Sequence, residues 1–340
     1  MLYNALFLLS VLGVQTLTFV TWGLLLRLGL SWAKVSDVSM RKVVTATVIF
    51  ALLDTLVIPF ILTTQLMSIP LQLAGLLMSL AIIIVAPIFV VASTFKVSGL
   101  RAIQAWLPTI LFSAPGILLI VLVYRPFVFE TFVVPTNAMA PSILGTHWQG
   151  TCPQCGAPNY CSPRHEMQHS YDPLPMICDN FHVTSEEFPN ETAYGGDRIA
   201  VAKFLTPQRW DLAVFEYPQD PTVSFVKRVV GLPGEEVVIQ DGDIWINGVR
   251  QQLPASLEGL EYVSEIDGFY GEDMWGTAER PAVLGDGEYF VLGDFSAQSH
   301  DSRLWREGAP GHPSYAVPKS HMIGVVTTTY WPQNRWRAHK

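Results

Sequence analysis

Long apolar stretches dominate the first third of the chain. A helix needs about 20 apolar residues to cross a bilayer, and four stretches reach that length: Leu2–Leu26, Val43–Leu66, Leu71–Phe95 and Ile103–Tyr124. The first stretch has no basic N-terminal region and is too long for a cleaved signal peptide. Buried helices of a soluble protein are the alternative, but four in succession argue against it. The pattern predicts a membrane anchor of about four transmembrane helices over residues 1–125.

From residue 126 onward the pattern changes to short runs typical of β-strands, separated by turn-forming pairs such as Asp241-Gly242 and Pro233-Gly234. Strands are predicted at Arg198–Lys203, Asp211–Glu216, Ser224–Val230, Glu236–Gln240, Ile244–Asn247, Glu288–Leu292 and Ile323–Tyr330. The prediction is a mainly β domain over residues 126–340. Two insertions interrupt it: one at 146–195 that carries cysteine and histidine, and an acidic one at 250–285.

Charge separates the two halves further. Residues 1–125 carry seven basic and two acidic side chains, whereas the other 215 residues carry fourteen and twenty-seven, for a net charge of −8. Such asymmetry suits an apolar anchor joined to an acidic soluble domain. An acidic domain is a poor partner for a polyanion, so nucleic acid is not expected as a partner.

The basic residues near the predicted spans also indicate a topology. They fall between the first and second spans and between the third and fourth, at Arg27, Lys34, Arg41, Lys42, Lys96 and Arg101. Basic loops are retained in the cytoplasm. The chain is therefore expected to be a multi-pass protein of the cell (inner) membrane, with its β domain outside the cytoplasm.

One lysine stands out in the β half. Lys227 lies in the apolar run Phe225–Val230, directly before a Gly-Leu-Pro-Gly turn. Burial on such a strand lowers a lysine pKa and favours use as a general base. Taken alone, a lysine that lays its stem over a sheet face is the more ordinary interpretation.

Three other segments change that interpretation. Together with Val226–Gly234, the segments Pro135–Pro141, Arg209–Pro218 and Gly293–Trp305 resemble, in the same order, the conserved boxes of bacterial type I signal peptidases. Members of that family are anchored by N-terminal helices and cleave signal peptides from exported preproteins with a Ser–Lys dyad. The resemblance extends over residues 126–332 and implies signal peptides and the lipid bilayer as partners, with no cofactor for catalysis.

Matching positions imply particular roles. Ala138 takes the place of the nucleophile, Lys227 that of the general base, and Thr136 that of a hydroxyl in the oxyanion hole. Ser299 matches the serine that orients the lysine. The positions that support the site are matched by Arg228, Asp294, Asp301 and Arg303.

The alanine at position 138 conflicts with the chemistry that the other positions imply. A methyl group has no lone pair, and loss of a covalent nucleophile costs many orders of magnitude in rate. The chain is therefore expected to be inactive as written. Either a site that is otherwise intact carries an inactivating substitution, or the protein is a natural non-cleaving pseudopeptidase that binds precursor segments or assists a partner peptidase. Thr136 and Ser142 are the nearest replacement nucleophiles, but both are offset along the chain.

All four cysteines lie in the first insertion. Cys152 and Cys155 form a Cys-x-x-Cys-Gly turn like that of a zinc ribbon, and Cys178 with His182 supplies the two further ligands of a structural zinc site. Cys161 competes for the fourth ligand position. Because the domain is expected outside the cytoplasm and the cysteine count is even, two disulfides are one alternative, and free thiols are the other.

Overall fold

The computed structural model describes residues 2–64, 85–119, 127–163, 174–186, 190–263 and 274–339. The chain divides into two compact units. One is Ala5–Arg125, and the other comprises Pro126–Lys340 together with Met1–Asn4.

The first unit is helical. Its helices are α1 (Leu2–Trp32), α2 (Met40–Thr64), α3 (Val85–Phe95) and α4 (Gly99–Leu119). A cluster of apolar side chains holds them together, including Leu30, Phe50 and Trp106. Gly29 lies at the contact between α1 and α4, where a Cβ atom would lie 1.9 Å from the carbonyl oxygen of Ala105. Only glycine permits this close approach of two helix backbones.

The prediction of about four transmembrane helices is not confirmed. Within the described ranges, one helix segment, Leu12–Trp32, is long and apolar enough to cross a membrane. The pair Val85–Phe95 and Gly99–Leu111 meets the same criteria jointly, but it bends by 120° at its break. The other predicted spans extend into 65–84 and 120–126, outside the described residues. The number of spans therefore stays a prediction.

The second unit is mainly β, as predicted. Its strands are β1 (Phe129–Val133), β2 (His147–Thr151), β3 (Pro158–Cys161), β4 (Leu174–Cys178), β5 (Val183–Glu186), β6 (Asn190–Tyr194), β7 (Arg198–Ala202), β8 (Leu212–Tyr217), β9 (Asp220–Gly231), β10 (Glu236–Gln240), β11 (Asp243–Ile246), β12 (Val249–Arg250), β13 (Ala282–Val283), β14 (Glu288–Leu292), β15 (Val317–Pro318), β16 (Met322–Trp331) and β17 (Arg337–Ala338). All seven strands predicted from the sequence are present, with bounds that differ by a few residues.

The strands form three antiparallel sheets. The largest has the order β1-β7-β16-β8-β9-β14-β15, with β17 paired to β16. A second sheet has the order β12-β11-β10-β13, and a third has the order β5-β4-β3-β2-β6. In the largest sheet the long strand β9 lies between β8 and β14, so the apolar run around Lys227 is covered on both edges.

Both insertions contain more structure than the sequence indicated. Residues 146–195 hold the whole third sheet, β2 to β6, for which no strands were predicted. These strands are short, and β2, β5 and β6 are rich in polar residues, so their alternation is weak. In the acidic insertion, Leu257, Leu260 and Tyr262 are buried in the same apolar cluster as β10, β11 and β14. Residues 264–273 of that insertion lie outside the described part of the chain.

Candidate active site

The segment that carries residue 138 is a compact loop between β1 and β2. Its backbone closes on itself: Ala140 donates to the Asn137 carbonyl at 2.9 Å, and Thr146 donates to the Pro135 carbonyl at 3.0 Å. Met139 is 1 % exposed and packs with strands β7 and β8 in the main sheet's core. Burial of a side chain this size contributes about 1.5–3 kcal/mol. The loop is therefore fixed on both sides of residue 138.

Asn137 is a structural residue of this loop. Its buried amide donates to the Thr146 carbonyl at 3.0 Å and accepts from the Gly145 N–H at 2.8 Å. Gly145 is required there, because a Cβ atom at that position would lie 2.2 Å from the Thr136 carbonyl carbon. These contacts tie the two ends of the loop together.

Ala138 lies against the loop that follows β14. Its carbonyl accepts a hydrogen bond from the Phe295 N–H at 3.1 Å. At Gly293, a Cβ atom would lie 2.5 Å from the Ala138 carbonyl oxygen and 2.0 Å from Ser299 Oγ. Only glycine fits this space. Residue 138, Gly293 and Ser299 are therefore close neighbours.

Lys227 reaches the same place from β9. Strand β14 ends at Leu292, which pairs with Arg228, so the loop after β14 begins beside Lys227. Lys227 is 4 % exposed, and its Nζ donates to Ser299 Oγ at 2.9 Å. The structure thus brings together three of the residues predicted from the sequence: Ala138, Lys227 and Ser299.

The environment of Lys227 favours the neutral amine. Burial lowers the pKa of Lys227 to about 8, although the nearby Asp301 carboxylate opposes the shift. Arg303 adds to the lowering by repulsion. A lysine with a pKa near 8 is partly neutral at ordinary pH, as a general base must be.

Two buried ion pairs lie next to Lys227 and Ser299. Arg303 binds Asp301 through two hydrogen bonds of 2.9 Å and 2.8 Å, and both side chains are fully buried. Arg228 donates from Nε to Asp294 Oδ1 at 2.7 Å. Burial by itself raises the pKa of Asp301, but the charge and hydrogen bonds of Arg303 bring that pKa below its ordinary value. All four supporting residues predicted from the sequence therefore form two ion pairs within 293–303 and its neighbouring strand.

The two candidate replacement nucleophiles differ in their surroundings. Ser142 is nearly buried and accepts a hydrogen bond from Arg228 Nη2 at 3.0 Å, so its hydroxyl is bound to the ion pair rather than to Lys227. Thr136 is exposed, two residues before Ala138 on the same loop. Its exposure is compatible with a role toward a bound substrate.

Sequence reasoning missed two features next to the site. His300 follows Ser299 and is exposed, with its ring 6.1 Å from that of Tyr217; partial desolvation, then the charge of Lys227, lowers its pKa. In addition, Ser296 Oγ accepts from the Val263 N–H at 2.9 Å, which attaches the acidic insertion to the loop after β14. The second contact joins segments distant in sequence, so no local pattern indicates it.

The cysteine-bearing insertion forms a separate cluster. The ligand atoms of Cys152, Cys155, Cys178 and His182 all lie within 4.8 Å of one another. Cys161, the competing candidate, is outside this group and is buried with Trp148, Leu174 and Met176. The four cysteines are all described and form no disulfide, so the disulfide alternative is not supported. The arrangement of these four side chains does not by itself show a bound metal.

Comparison with known proteins shows similarity to signal peptidases. The family model for signal peptidase, peptidase S26, matches residues 176–331, which include Lys227 and Ser299 and begin after Ala138. Signal peptidase I of Pseudomonas fluorescens is 28 % identical over 238 residues, covering 64 % of this chain and 70 % of that protein. Signal peptidase I of Leptolyngbya laminosa is 33 % identical over 150 residues, covering 41 % and 62 % respectively.

Among solved structures, a signal peptidase I from Enterococcus faecalis V583 matches with 29 % identity, covering 36 % of this chain and 98 % of that one. Its TM-score is 0.27, too low to support an argument about the fold. The family match and the many related sequences imply that this chain is of the serine endopeptidase class. The chain is similar to bacterial type I signal peptidases.

Proposed function

We propose that this chain has the site of a Ser–Lys dyad peptidase that removes signal peptides from exported preproteins, with Ala138 in place of the nucleophile. The observation that carries the proposal is the contact between Lys227 Nζ and Ser299 Oγ at 2.9 Å, buried beside the backbone of residue 138. A lysine desolvated in this way and held by a hydroxyl is suited to accept a proton from a serine at 138.

The proposed chemistry has four steps when position 138 carries a hydroxyl. That oxygen attacks the carbonyl carbon of the scissile bond while neutral Lys227 takes its proton. The resulting oxyanion accepts hydrogen bonds from the residue 138 N–H and the Thr136 hydroxyl. Lys227 then gives its proton to the leaving amine, and water hydrolyses the acyl-enzyme with Lys227 again as base. These steps use only groups of the chain and need no cofactor.

The supporting residues have positioning roles in this proposal. Ser299 accepts one N–H of Lys227 and so directs the amine. Arg303 and Asp301 hold the loop that carries Ser299, because Asp301 Oδ2 also accepts from the Gly293 N–H at 3.0 Å. Arg228 and Asp294 fix the start of the same loop. The substrate is expected to bind extended, with small residues before the cleaved bond.

With alanine at 138, the same site lacks the attacking atom. We therefore propose that the chain as written binds precursor segments without cleaving them. The second candidate function, a natural pseudopeptidase that binds precursors or assists a partner peptidase, rests on the same alanine. In both cases the helical unit is proposed to anchor the protein in the cell membrane with its β domain outside the cytoplasm.

One comparison tests the proposal: processing of a fluorogenic signal-peptide substrate by the full chain and by Ala138→Ser, both in detergent. Cleavage by the serine form alone supports the dyad. A fluorescence anisotropy measurement on the unmodified chain, with a labelled signal peptide, checks that the site still binds.

Two results would count against the proposal. No cleavage by Ala138→Ser, despite peptide binding equal to that of the unmodified chain, would overturn the dyad assignment and favour a pseudopeptidase. Cleavage by the unmodified chain would show a different nucleophile. Thr136→Val and Ser142→Ala would then identify it.

A further inference from the structure

We propose that Cys152, Cys155, Cys178 and His182 bind one structural zinc ion, and that this ion, through Phe181, holds the loop carrying residue 138 in place. Neither part depends on the peptidase chemistry, and both can be tested without an activity measurement.

The spacing of the ligand atoms fits tetrahedral zinc. With zinc–sulfur bonds of about 2.3 Å, two thiolates on one zinc ion lie about 3.8 Å apart, and a sulfur and an imidazole nitrogen lie about 3.6 Å apart. In the structure Cys155 Sγ and Cys178 Sγ are 3.8 Å apart. Cys152 Sγ and His182 Nδ1 are 3.9 Å apart. These two distances are close to those of a zinc site, and all four ligand atoms lie within 4.8 Å of one another.

The donor chemistry also selects zinc. Three thiolates and one imidazole suit zinc and not calcium or magnesium, which prefer oxygen. The side-chain amide of Asn180 donates to Cys155 Sγ at 3.3 Å, the kind of outer contact that orients a metal-bound thiolate. Four protein ligands leave no open position for water or substrate, so the site is structural rather than catalytic.

The first turn that carries proposed ligands, residues 152–157, is closed by backbone hydrogen bonds. Cys152 donates to the Ala157 carbonyl at 2.8 Å, and Gly156 donates to the Cys152 carbonyl at 2.8 Å. Gly156 has a φ of 74°, which glycine adopts without a steric cost. The turn therefore presents Cys152 and Cys155 on the same side.

The second ligand turn is strained and contains Phe181. This residue lies between Cys178 and His182 and has a φ of 61°, a left-handed conformation that is unfavourable for an aromatic side chain. Within the turn, the Phe181 N–H donates to the Cys178 carbonyl at 2.8 Å, and the Cys178 N–H donates to the His182 carbonyl at 3.1 Å. A metal bound to both flanking residues would offset this strain.

Phe181 connects the turn to the candidate active site. Its ring packs against a cluster that contains Ala140 and Leu144, from the loop of residue 138, and Phe295, from the loop after β14. Phe295 is fully buried and donates its N–H to the carbonyl of Ala138 at 3.1 Å. The turn and the backbone of residue 138 are therefore joined through one apolar cluster, to which Phe295 belongs.

The first test is the metal content of the full chain purified in detergent under reducing conditions. We expect about one zinc ion per chain. Replacement by Co²⁺ should give the visible absorption of a tetrahedral thiolate site. Cys178→Ser should reduce the zinc content to about none, whereas Cys161→Ser, the matched control outside the cluster, should keep about one ion. A reduced wild-type chain that neither contains zinc nor binds added zinc overturns the site.

The second test measures amide hydrogen exchange across residues 136–146 and 291–299 before and after removal of zinc by a chelator. Loss of protection in both segments is expected, because the packing of Phe181 depends on the ion. Phe181→Ala should keep the zinc ion yet lose the same protection. Unchanged exchange in both segments after zinc removal, with the zinc loss verified, overturns the coupling while leaving the site itself intact.

Discussion

At the scale of single residues, Lys227 and residue 138 decide what the site can do. Lys227 is buried beside a hydroxyl and two ion pairs, and burial lowers its pKa to about 8. A charged amine in such a place costs stability, which folded proteins tolerate mainly where a function requires it. Lys227 and its partner Ser299 lie beside an alanine at position 138. Their presence there is the main physical reason to regard position 138 as the nucleophile position of a Ser–Lys dyad.

The cost of burying Lys227 leads to a stability prediction. The folded-state pKa of about 8 lies below that of an unfolded lysine, so the unfolded chain binds more protons between these values. Stability contributed by this residue therefore increases as pH rises from about 8 toward about 10.4. Lys227→Met should raise the free energy of unfolding at pH 7 by about 1–3 kcal/mol, and the gain should shrink as pH approaches 10.

Denaturant unfolding in detergent, followed by tryptophan fluorescence, measures this difference. Lys319→Met is the control, since Lys319 is exposed; its change should stay within about 0.5 kcal/mol. A loss of stability in Lys227→Met at pH 7 would show that Lys227 is a structural anchor and not a strained functional group.

At the scale of elements, the loop after β14 organises the site. Residues 293–303 provide Ser299, both carboxylates and one arginine, and Gly293 allows the loop of residue 138 to approach. The bidentate pair of Asp301 and Arg303 is fully buried, so its two charges are satisfied only by each other and by neighbouring polar groups.

Breaking that pair should be costly. Arg303→Met leaves the Asp301 carboxylate buried without its partner, and the expected loss is about 3–5 kcal/mol of unfolding free energy. The matched control is Arg250→Met, which removes the partner of Asp243 at a pair where the arginine is 63 % exposed. That change should cost less than about 1 kcal/mol. Equal effects of the two substitutions in the same unfolding assay would refute the assigned importance of the buried pair.

Much of the first two sheets could be predicted from the sequence, because strands such as Glu236–Gln240 of the second sheet and Glu288–Leu292 of the largest sheet carry apolar runs bounded by turn residues. The third sheet could not, since strands such as Asn190–Tyr194 are short and polar and their pairing partners are distant. The motif boxes indicated Lys227 and Ser299. The choice of His182 over Cys161 in the metal cluster required the folded geometry, because sequence spacing allowed both.

At the scale of the whole molecule, the proposal joins a helical membrane anchor to an extracytoplasmic β domain. One apolar helix segment, Leu12–Trp32, fits an anchor by length and composition. The charge pattern supports the orientation, since the exposed turn at Lys96 and Ser98 lies in a basic loop expected in the cytoplasm. The β domain would then meet its substrates on the far side of the membrane.

Epitope tags test this topology. A tag inserted after Gly248, in an exposed turn of the β domain, should bind antibody in intact spheroplasts. A tag inserted after Ser98 should bind only after the membrane is permeabilised. The reverse pattern would place the β domain in the cytoplasm and contradict the proposed access to exported preproteins.

The most direct test of the central claim is the pH dependence of kcat/KM for signal-peptide cleavage by Ala138→Ser. If Lys227 is the general base, kcat/KM should rise about tenfold per pH unit below the pKa of this lysine and level off above it. The midpoint should lie near pH 8, where burial places that pKa. Adding Lys227→Met should abolish cleavage at every pH. A serine form that cleaves equally well across this range, or that keeps its activity without Lys227, would contradict the account.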